Sequence, residues 1–162
     1  MEVRTAAVAD HDAIAEVLVR AYEAAWGPSG WDQYRQELSD VAGRSDLSEI
    51  LVVSVDGTLA GTITLVPPDS PMRAVHDPAA IEVRMLAVEP AMQRRGLATT
   101  LIAAAAERAS VLGHRALILQ SDEDLTAAHA FYERLGFVRR PDFDEVVDEG
   151  YRALGYELTL DQ

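Results

Sequence analysis

The chain has 162 residues, 49% of them hydrophobic, with a formal net charge of −13 and a sequence pI near 4.6. That is the length of one domain with a proper core, too apolar for a disordered chain and too acidic to attract the phosphates of a nucleic acid. Cysteine is absent, which excludes disulfides and thiolate metal sites, and no apolar run reaches membrane-spanning length. The N-terminus lacks the basic-then-apolar pattern of a signal peptide, so a cytoplasmic protein is expected. The acidic surplus serves solubility and would also steer a cationic amine toward the surface. All 14 basic residues are arginine, so the chain holds no lysine side chain that it could itself modify.

Taken in order, Glu2–Thr5 reads as a short strand. Asp10 is placed to cap a helix, and Asp12 in the first turn favours the helix dipole. Ile14, Val17, Leu18, Ala21 and Ala25 then fall on one helical face. Gly27-Pro28-Ser29-Gly30 breaks the chain, and a second, weaker helix is expected over 31–41. Tyr22, Trp26, Trp31 and Tyr34 gather around this break; such rings either close the core or line a binding wall. Residues 50–55 and 59–65 read as strands joined by Asp56-Gly57, a hairpin signal. Pro67, Pro68, Pro71 and Pro78 then forbid regular structure over 66–79, and a loop is expected there.

The most informative stretch follows. Residues 81–88 suit a strand that starts half-exposed and ends buried on both faces. Pro90 has no N–H to donate and stops it. After Gly96 the apolar period changes from strand to helix, with Leu97, Leu101, Ala104, Ala105, Arg108 and Leu112 on one stripe, widened by Ile102 and Ala109. Gly113 suits the left-handed residue that ends a helix. The first N–H groups of that helix lack internal partners and sit at the positive end of its dipole, so they can hold a phosphate. Gly96 and Ala98 leave room for the approach, and Arg94 and Arg95 add charge. On these residues alone a solvated surface turn is as good a reading. Residues 116–120 then read as a buried strand, and Asp122 or Asp124 can cap a helix over 125–135 with Ala128, Phe131, Tyr132 and Leu135 on one face. Gly136 ends that helix, Phe137 packs back on it, and 153–160 makes a last strand. The acidic segment before it carries Asp142, Asp144, Glu145, Asp148 and Glu149 and reads as a solvated loop.

The run Val88-Glu89-Pro90 followed by Gln93-Arg94-Arg95-Gly96-Leu97-Ala98 resembles the acetyl-CoA signature of the GNAT N-acetyltransferase superfamily. Residues 128–137, which include Phe131, Tyr132, Gly136 and Phe137, resemble the second signature of that family, and the element order fits over nearly the whole chain. The resemblance implies one domain over 1–162 with an α/β (α+β) fold, a mixed, mostly antiparallel sheet of about six or seven strands flanked by about four helices. It implies acetyl-CoA as acyl donor, entering where the strands at 80–88 and 116–120 splay apart. The pantetheine amides would pair with Leu86 and Val88 as an added strand does. The N–H of Leu86 or Ala87 would face the oxyanion, amides from Arg94 through Thr99 with Gln93 would take the pyrophosphate, and Phe131 would pack on the cofactor.

Transfer of an acyl group from a thioester to an amine sets three requirements. An amine with a pKa near ~10 must lose a proton. The oxyanion needs fixed donors, worth roughly 3–4 kcal/mol each. The departing thiolate is best protonated, a gain of roughly 10²–10⁴-fold. Tyr132 matches the family tyrosine given that last role, although it also falls on an apolar helix face. Glu82 stands where family members often carry a base; it reads equally as a strand-end carboxylate paired with Arg84. Tyr22, Trp26, Trp31 and His76 are candidates for the acceptor site. The family asparagine seven residues before the tyrosine is replaced by Leu125. His11, His114 and His129 show no metal-ligand spacing. An N-acetyltransferase for a small-molecule or peptide amine, with no nucleic-acid or membrane partner, is the leading reading, and a homodimer is a family-level expectation. A non-catalytic acyl-CoA sensor keeps the fold and loses turnover; a purely structural domain leaves the arginine–glycine turn unexplained.

Overall fold

The structure, a computed structural model, describes residues 1–148 and 151–161, without the side chains of 147 and 148. The chain opens with β1 (Glu2–Thr5), α1 (His11–Trp26), α2 (Asp32–Ser39) and α3 (Val41–Ser45). Then come β2 (Glu49–Val55), β3 (Thr58–Val66), β4 (Ala80–Val88), α4 (Leu97–Val111) and β5 (Ala116–Asp122). It closes with α5 (Thr126–Arg134), β6 (Val138–Arg139), β7 (Glu145–Asp148) and β8 (Tyr151–Thr159). Among the described residues this makes eight strands and five α-helices. The surplus over expectation comes from short pieces: β6, β7, and a helix that Asp40 splits in two. At Asp40 the backbone leaves the helical region (φ −85°, ψ 65°), and its carboxylate accepts the Gly43 N–H at 3.0 Å to start α3. Asp10 does not cap α1. It accepts the Ala7 N–H at 2.7 Å and pairs with Arg4 at 2.7 Å. Neither Asp122 nor Asp124 caps α5, because Asp122 Oδ1 accepts the Asp124 N–H instead.

The strands form one sheet in the order β1-β2-β3-β4-β5-β8-β6, with β7 also paired to β8. Every pairing is antiparallel except β4 with β5, which α4 connects by crossing one face. Alternation along the strands sorts the core into two sides. Leu51, Val53, Ile63, Leu65, Ile81, Val83, Leu117 and Leu119 face α4 and α5. Ile50 and Val52 face α1, which presents Ile14, Val17 and Leu18 at helical spacing. Ala105 and Ala109 are wholly buried and let α4 lie low on the sheet. The approach is close enough that a Cβ on Gly61 would stand 3.2 Å from Leu101 Cδ1 and 3.1 Å from the Ala87 carbonyl oxygen. The stripe expected on α4 is narrower at its end, where Arg108 turns out to pair with Glu49 and Leu112 is half exposed.

Two irregularities of β4 matter for function. First, Thr62 pairs with Ala87 and Thr64 with Arg84, so β4 carries one residue more than β3 between these rungs. The bulge places Met85 in the left-handed region (φ 53°). It also flips the pleat: Ile81 and Val83 face α4 before it, Leu86 and Val88 after it, while Met85 and Ala87 join the α1 side. Second, β4 pairs with β5 only at Ala80, Ile81 and Glu82. Beyond those rungs β4 stays with β3 and β5 with β8, so the facing edges diverge.

Leu101 is fully buried between α4 and the sheet. Leu101→Ala is expected to lower unfolding free energy by about 2–5 kcal/mol with an unchanged denaturant slope, measured by urea titration.

Candidate active site

The parting of β4 and β5 exposes two backbone edges inside the molecule. Residues 83–88 and 119–122 have no strand on those edges among the described residues. Unpaired backbone donors and acceptors in that position accept an added extended chain. The expected pantetheine contacts at Leu86 and Val88, and the expected oxyanion donors at Leu86 and Ala87, lie on this edge just past the Met85 bulge. Backbone strain stored beside a binding edge is a recurrent feature of functional sites.

At the end of β4, Glu89 accepts two bonds from Arg20 on α1, the shorter at 2.7 Å, and its own N–H reaches the Ala60 carbonyl. The following turn is thereby tied to the sheet. Arg94 (φ 66°) and Gly96 (φ 82°) both adopt left-handed backbone, and α4 begins immediately after. No side chain caps α4. The N–H groups of Leu97, Ala98 and Thr99 therefore meet no partner within the helix. A Cβ on Gly96 would meet no atom within 4 Å, so the space above the helix end is open. Arg94 and Arg95 are exposed beside it and form no ion pair among the described residues. Open amides, a helix dipole and two spare guanidiniums fit the diphosphate of a CoA-type molecule. Leu97 itself is buried in the core, so only its amide faces that space. Gln93 departs from expectation: its amide nitrogen turns back to donate to the Val88 carbonyl at 3.3 Å.

Tyr132 and Phe131 sit on α5 against the core that faces α4. The Tyr132 ring contacts Phe131, Phe137 and Tyr156 at 5.5, 5.5 and 6.1 Å between centroids. Burial pushes its phenol up to about 12. Across the sheet, Tyr22 on α1 is pushed well above the ordinary tyrosine value, first by burial, then by the neighbouring Tyr34 and next by Tyr132. Tyr22 and Tyr132 belong to helices on opposite faces. Tyr132 lies on the same face of the sheet as Leu86 and Val88, which belong to the β4 edge left unpaired.

On the α1 side, Tyr22, Trp26, Trp31 and Tyr34 form one ring cluster, with Tyr22–Trp26 at 4.8 Å and Tyr22–Tyr34 at 5.6 Å. Trp31 belongs to the core, only 9% exposed, with its indole N–H donated to the Gly27 carbonyl at 2.7 Å and Arg35 stacked on its ring. It is a support of the wall and has no face left for an acceptor. His76 is exposed on the outside of the proline-rich loop.

Glu82 is corrected most sharply. It is 2% exposed; Oε1 accepts the N–H groups of Ala74 and Val75 at 3.0 and 2.7 Å, and Arg84 lies 3.9 Å from Oε2. Buried Arg73 matches it by donating to the carbonyls of Val66, Val75, Asp77 and Ala80 at 2.6–2.7 Å. Oε2 has only the longer share of the Ala74 N–H, at 3.3 Å, but the carboxylate is enclosed by the loop it anchors and is shielded from an acceptor amine. Sequence reasoning also passed over residues that the fold brings to the site. Arg84 reaches the Met72 carbonyl at 3.0 Å, and the Tyr151 hydroxyl is pushed up by burial and by the negative charge of Asp122 at the end of β5. The available signal was an arginine inside an otherwise apolar strand.

Among the described residues no cluster of three or more His, Asp or Glu is placed to hold a metal ion, and no helix is long and apolar enough to cross a membrane. Two open grooves, about 300 and 480 Å³, lie at the far end of the sheet around Glu49 and Arg108, away from these groups.

The model of the acetyltransferase (GNAT) family matches residues 11–137. No curated protein matches the chain in sequence. Solved structures with the same fold include PaiA N-acetyltransferase from Thermoplasma acidophilum in complex with coenzyme A, 19% identical over 98% of both chains with a TM-score of 0.75. Another is yncA from Salmonella typhimurium with its cofactor acetyl-CoA, 20% identical over 99% of this chain and 94% of that one, TM-score 0.68. Ribosomal-protein-alanine N-acetyltransferase from Brucella melitensis is 19% identical over 99% of this chain and 100% of that one, TM-score 0.71. With the parted strands, the open amides of α4 and a match over most of its length, the chain belongs to the GNAT acetyltransferase family, and it is an acyltransferase that takes its acyl group from acetyl-CoA.

Proposed function

We propose that this chain acts as a single domain, in the cytoplasm, acetylating the primary amine of a small molecule or peptide by direct attack, with Tyr132 as general acid. The observation that supports the reading is that Tyr132 packs into the same core face as Leu86 and Val88, on the β4 edge left unpaired beyond Glu82. When bound, acetyl-CoA supplies a thioester whose C–S bond is exchanged for a C–N bond. The chain's residues do the rest. The β4 edge from Leu86 to Val88 aligns the donor, with the N–H of Leu86 or Ala87 turned to the oxyanion. The amides of residues 94–99, with Arg94 and Arg95, take the diphosphate. Phe131 packs beside Tyr132.

Tyr132 keeps its proton at any ordinary pH because burial holds its pKa near 12. A donor of that pKa releases a proton only to a strong, localised negative charge, which is what a departing thiolate presents in a site with little water. The amine must arrive neutral or lose its proton to solvent. Glu82 is buried under the loop at 67–79, and its work in this reading is to hold that loop in place. Tyr22, Tyr34 and Trp26 form the acceptor wall.

Three outcomes are expected. Tyr132→Phe lowers kcat by roughly 10²–10⁴-fold while the acetyl-CoA dissociation constant in calorimetric titration holds; unchanged turnover removes Tyr132 from the chemistry. Gly96→Glu abolishes acetyl-CoA binding, because it strains a left-handed residue and puts a negative charge where the diphosphate goes; saturable binding by that variant moves the donor site elsewhere. Glu82→Gln lowers stability by about 1–3 kcal/mol, since the amide cannot accept as the carboxylate does. The same variant leaves the apparent pKa of the kcat–pH profile in place, and a shift of that profile reinstates Glu82 as the base.

A further inference from the structure

On the α1 face of the sheet, beside the tyrosine wall, positive charge is left short of partners. Arg84 donates from Nη1 to the Met72 carbonyl. Its Nε and Nη2 stand 3.9 Å from Glu82 and Glu37, beyond hydrogen-bond range. Most of its five donors are therefore unspent, and its side chain is 28% exposed. Arg44 lies near enough for the two charges to repel, and it is 5% exposed. It gives one bond, Nη1 to the Glu37 carbonyl at 2.9 Å, while its Nε and Nη2 are buried without a partner. Thr64, directly across the ladder from Arg84, is wholly buried with its hydroxyl also unpartnered.

Buried donors left unpaired are rare and call for a reason. The nearby carboxylates do not supply their partners. Glu82 is occupied by Ala74 and Val75, Asp40 accepts from Gly43, and Glu37 is 53% exposed to water. Arg84, the one of the two arginines that reaches solvent, is left to take an acceptor-only group of negative charge. Position narrows its identity. Arg84 immediately precedes Met85, so it stands at the mouth of the gap. A molecule held by its anion at Arg84 therefore needs only a short span to bring an amine to the gap.

We propose that Arg84, with the sealed charge of Arg44 behind it, binds a carboxylate of the acceptor, so that the acceptor is an α-amino acid or an amine with a carboxylate close to its nitrogen. Arg84 makes the contact; Arg44, out of reach of a ligand, adds positive charge behind it. The chain's overall charge of −13 repels anions at long range, so attraction to the two arginines acts at short range, where screening is weak. The tyrosine and tryptophan rings beside them favour an acceptor with an apolar or aromatic side chain. The inference rests on the N-acetyltransferase reading above.

The test compares matched pairs that differ only in the carboxylate: phenylalanine with 2-phenylethylamine, tyrosine with tyramine, and methionine with 3-(methylthio)propylamine. Release of free CoA is followed with a thiol reagent, to which this cysteine-free chain is silent. The amino acid of at least one pair is expected to be preferred in kcat/KM by roughly tenfold to a hundredfold, the scale of a charge-assisted hydrogen bond. In Arg84→Gln that ratio falls toward one, mostly through KM, and Arg84→Lys restores part of it. Acetyl-CoA titration of both variants reports whether they are folded. Equal or inverted preference in the intact enzyme overturns the carboxylate site and leaves the N-acetyltransferase reading standing. Silence of every pair while acetyl-CoA binds also overturns it. Absence of acetyl-CoA binding by the intact chain removes the underlying reading and this inference with it.

Discussion

The backbone at Met85 is the constraint on which the site depends. A left-handed conformation in a side-chain-bearing residue costs on the order of 1–3 kcal/mol and survives only where the surroundings hold it. Here β3 holds one side of the bulge at Thr62 and the other at Thr64. The extra residue reverses the pleat midway along a central strand. Without it, Arg84 and Ala87 could not share the α1 face while Val83 and Leu86 share the other. The same strand is released from β5 three rungs from its start, so the edge beyond the bulge is open. One local distortion and one divergence turn a core strand into a binding edge.

A second theme is the handling of buried charge. An isolated charge away from water is costly unless hydrogen bonds compensate it. Glu82 and Arg73 meet that condition almost entirely through backbone groups of a proline-rich loop, four carbonyls for the arginine and two amides for the carboxylate. A loop with little secondary structure of its own is thereby made rigid enough to form a wall. Arg44 does not meet it, since its Nε and Nη2 are buried without a partner. Arg84 is partly exposed, with Glu82 and Glu37 no nearer than 3.9 Å, so it differs from Arg73 in keeping donors that face outward.

Tyrosines carry the rest of the site. Burial raises Tyr22, Tyr34, Tyr132 and Tyr151 together. All four keep their protons under ordinary conditions, and the proposed chemistry at Tyr132 uses a neutral donor rather than a charged one. The wall of rings around Tyr22 suits an apolar acceptor body, whereas the guanidinium of Arg84 suits an anionic end.

Much of the fold was legible because period and punctuation are local. The change from strand to helix at Gly96, the hairpin at Asp56-Gly57 and the helix end at Gly136 are decided by residues in direct succession, and all three stand in the structure. The two family-like segments were readable for the same reason: an amide-lined helix end is built from consecutive residues. The short strands β6 and β7 were not legible, because two- and four-residue strands owe their existence to β8 beside them. The role of Glu82 was not legible either. From sequence it was a carboxylate near an active strand, and only the folding-back of residues 74 and 75 showed its oxygens occupied. The hydrogen bonds of Trp31 and Gln93 were not legible for a like reason, each side chain being turned toward a carbonyl that the chain brings near only on folding. The sequence by itself determined most of the elements, their order and the glycine turn that opens α4, since these follow from backbone preferences over a few residues. Tertiary structure alone decided which charges are spent and which remain free, because that depends on what packs against each side chain from distant parts of the chain.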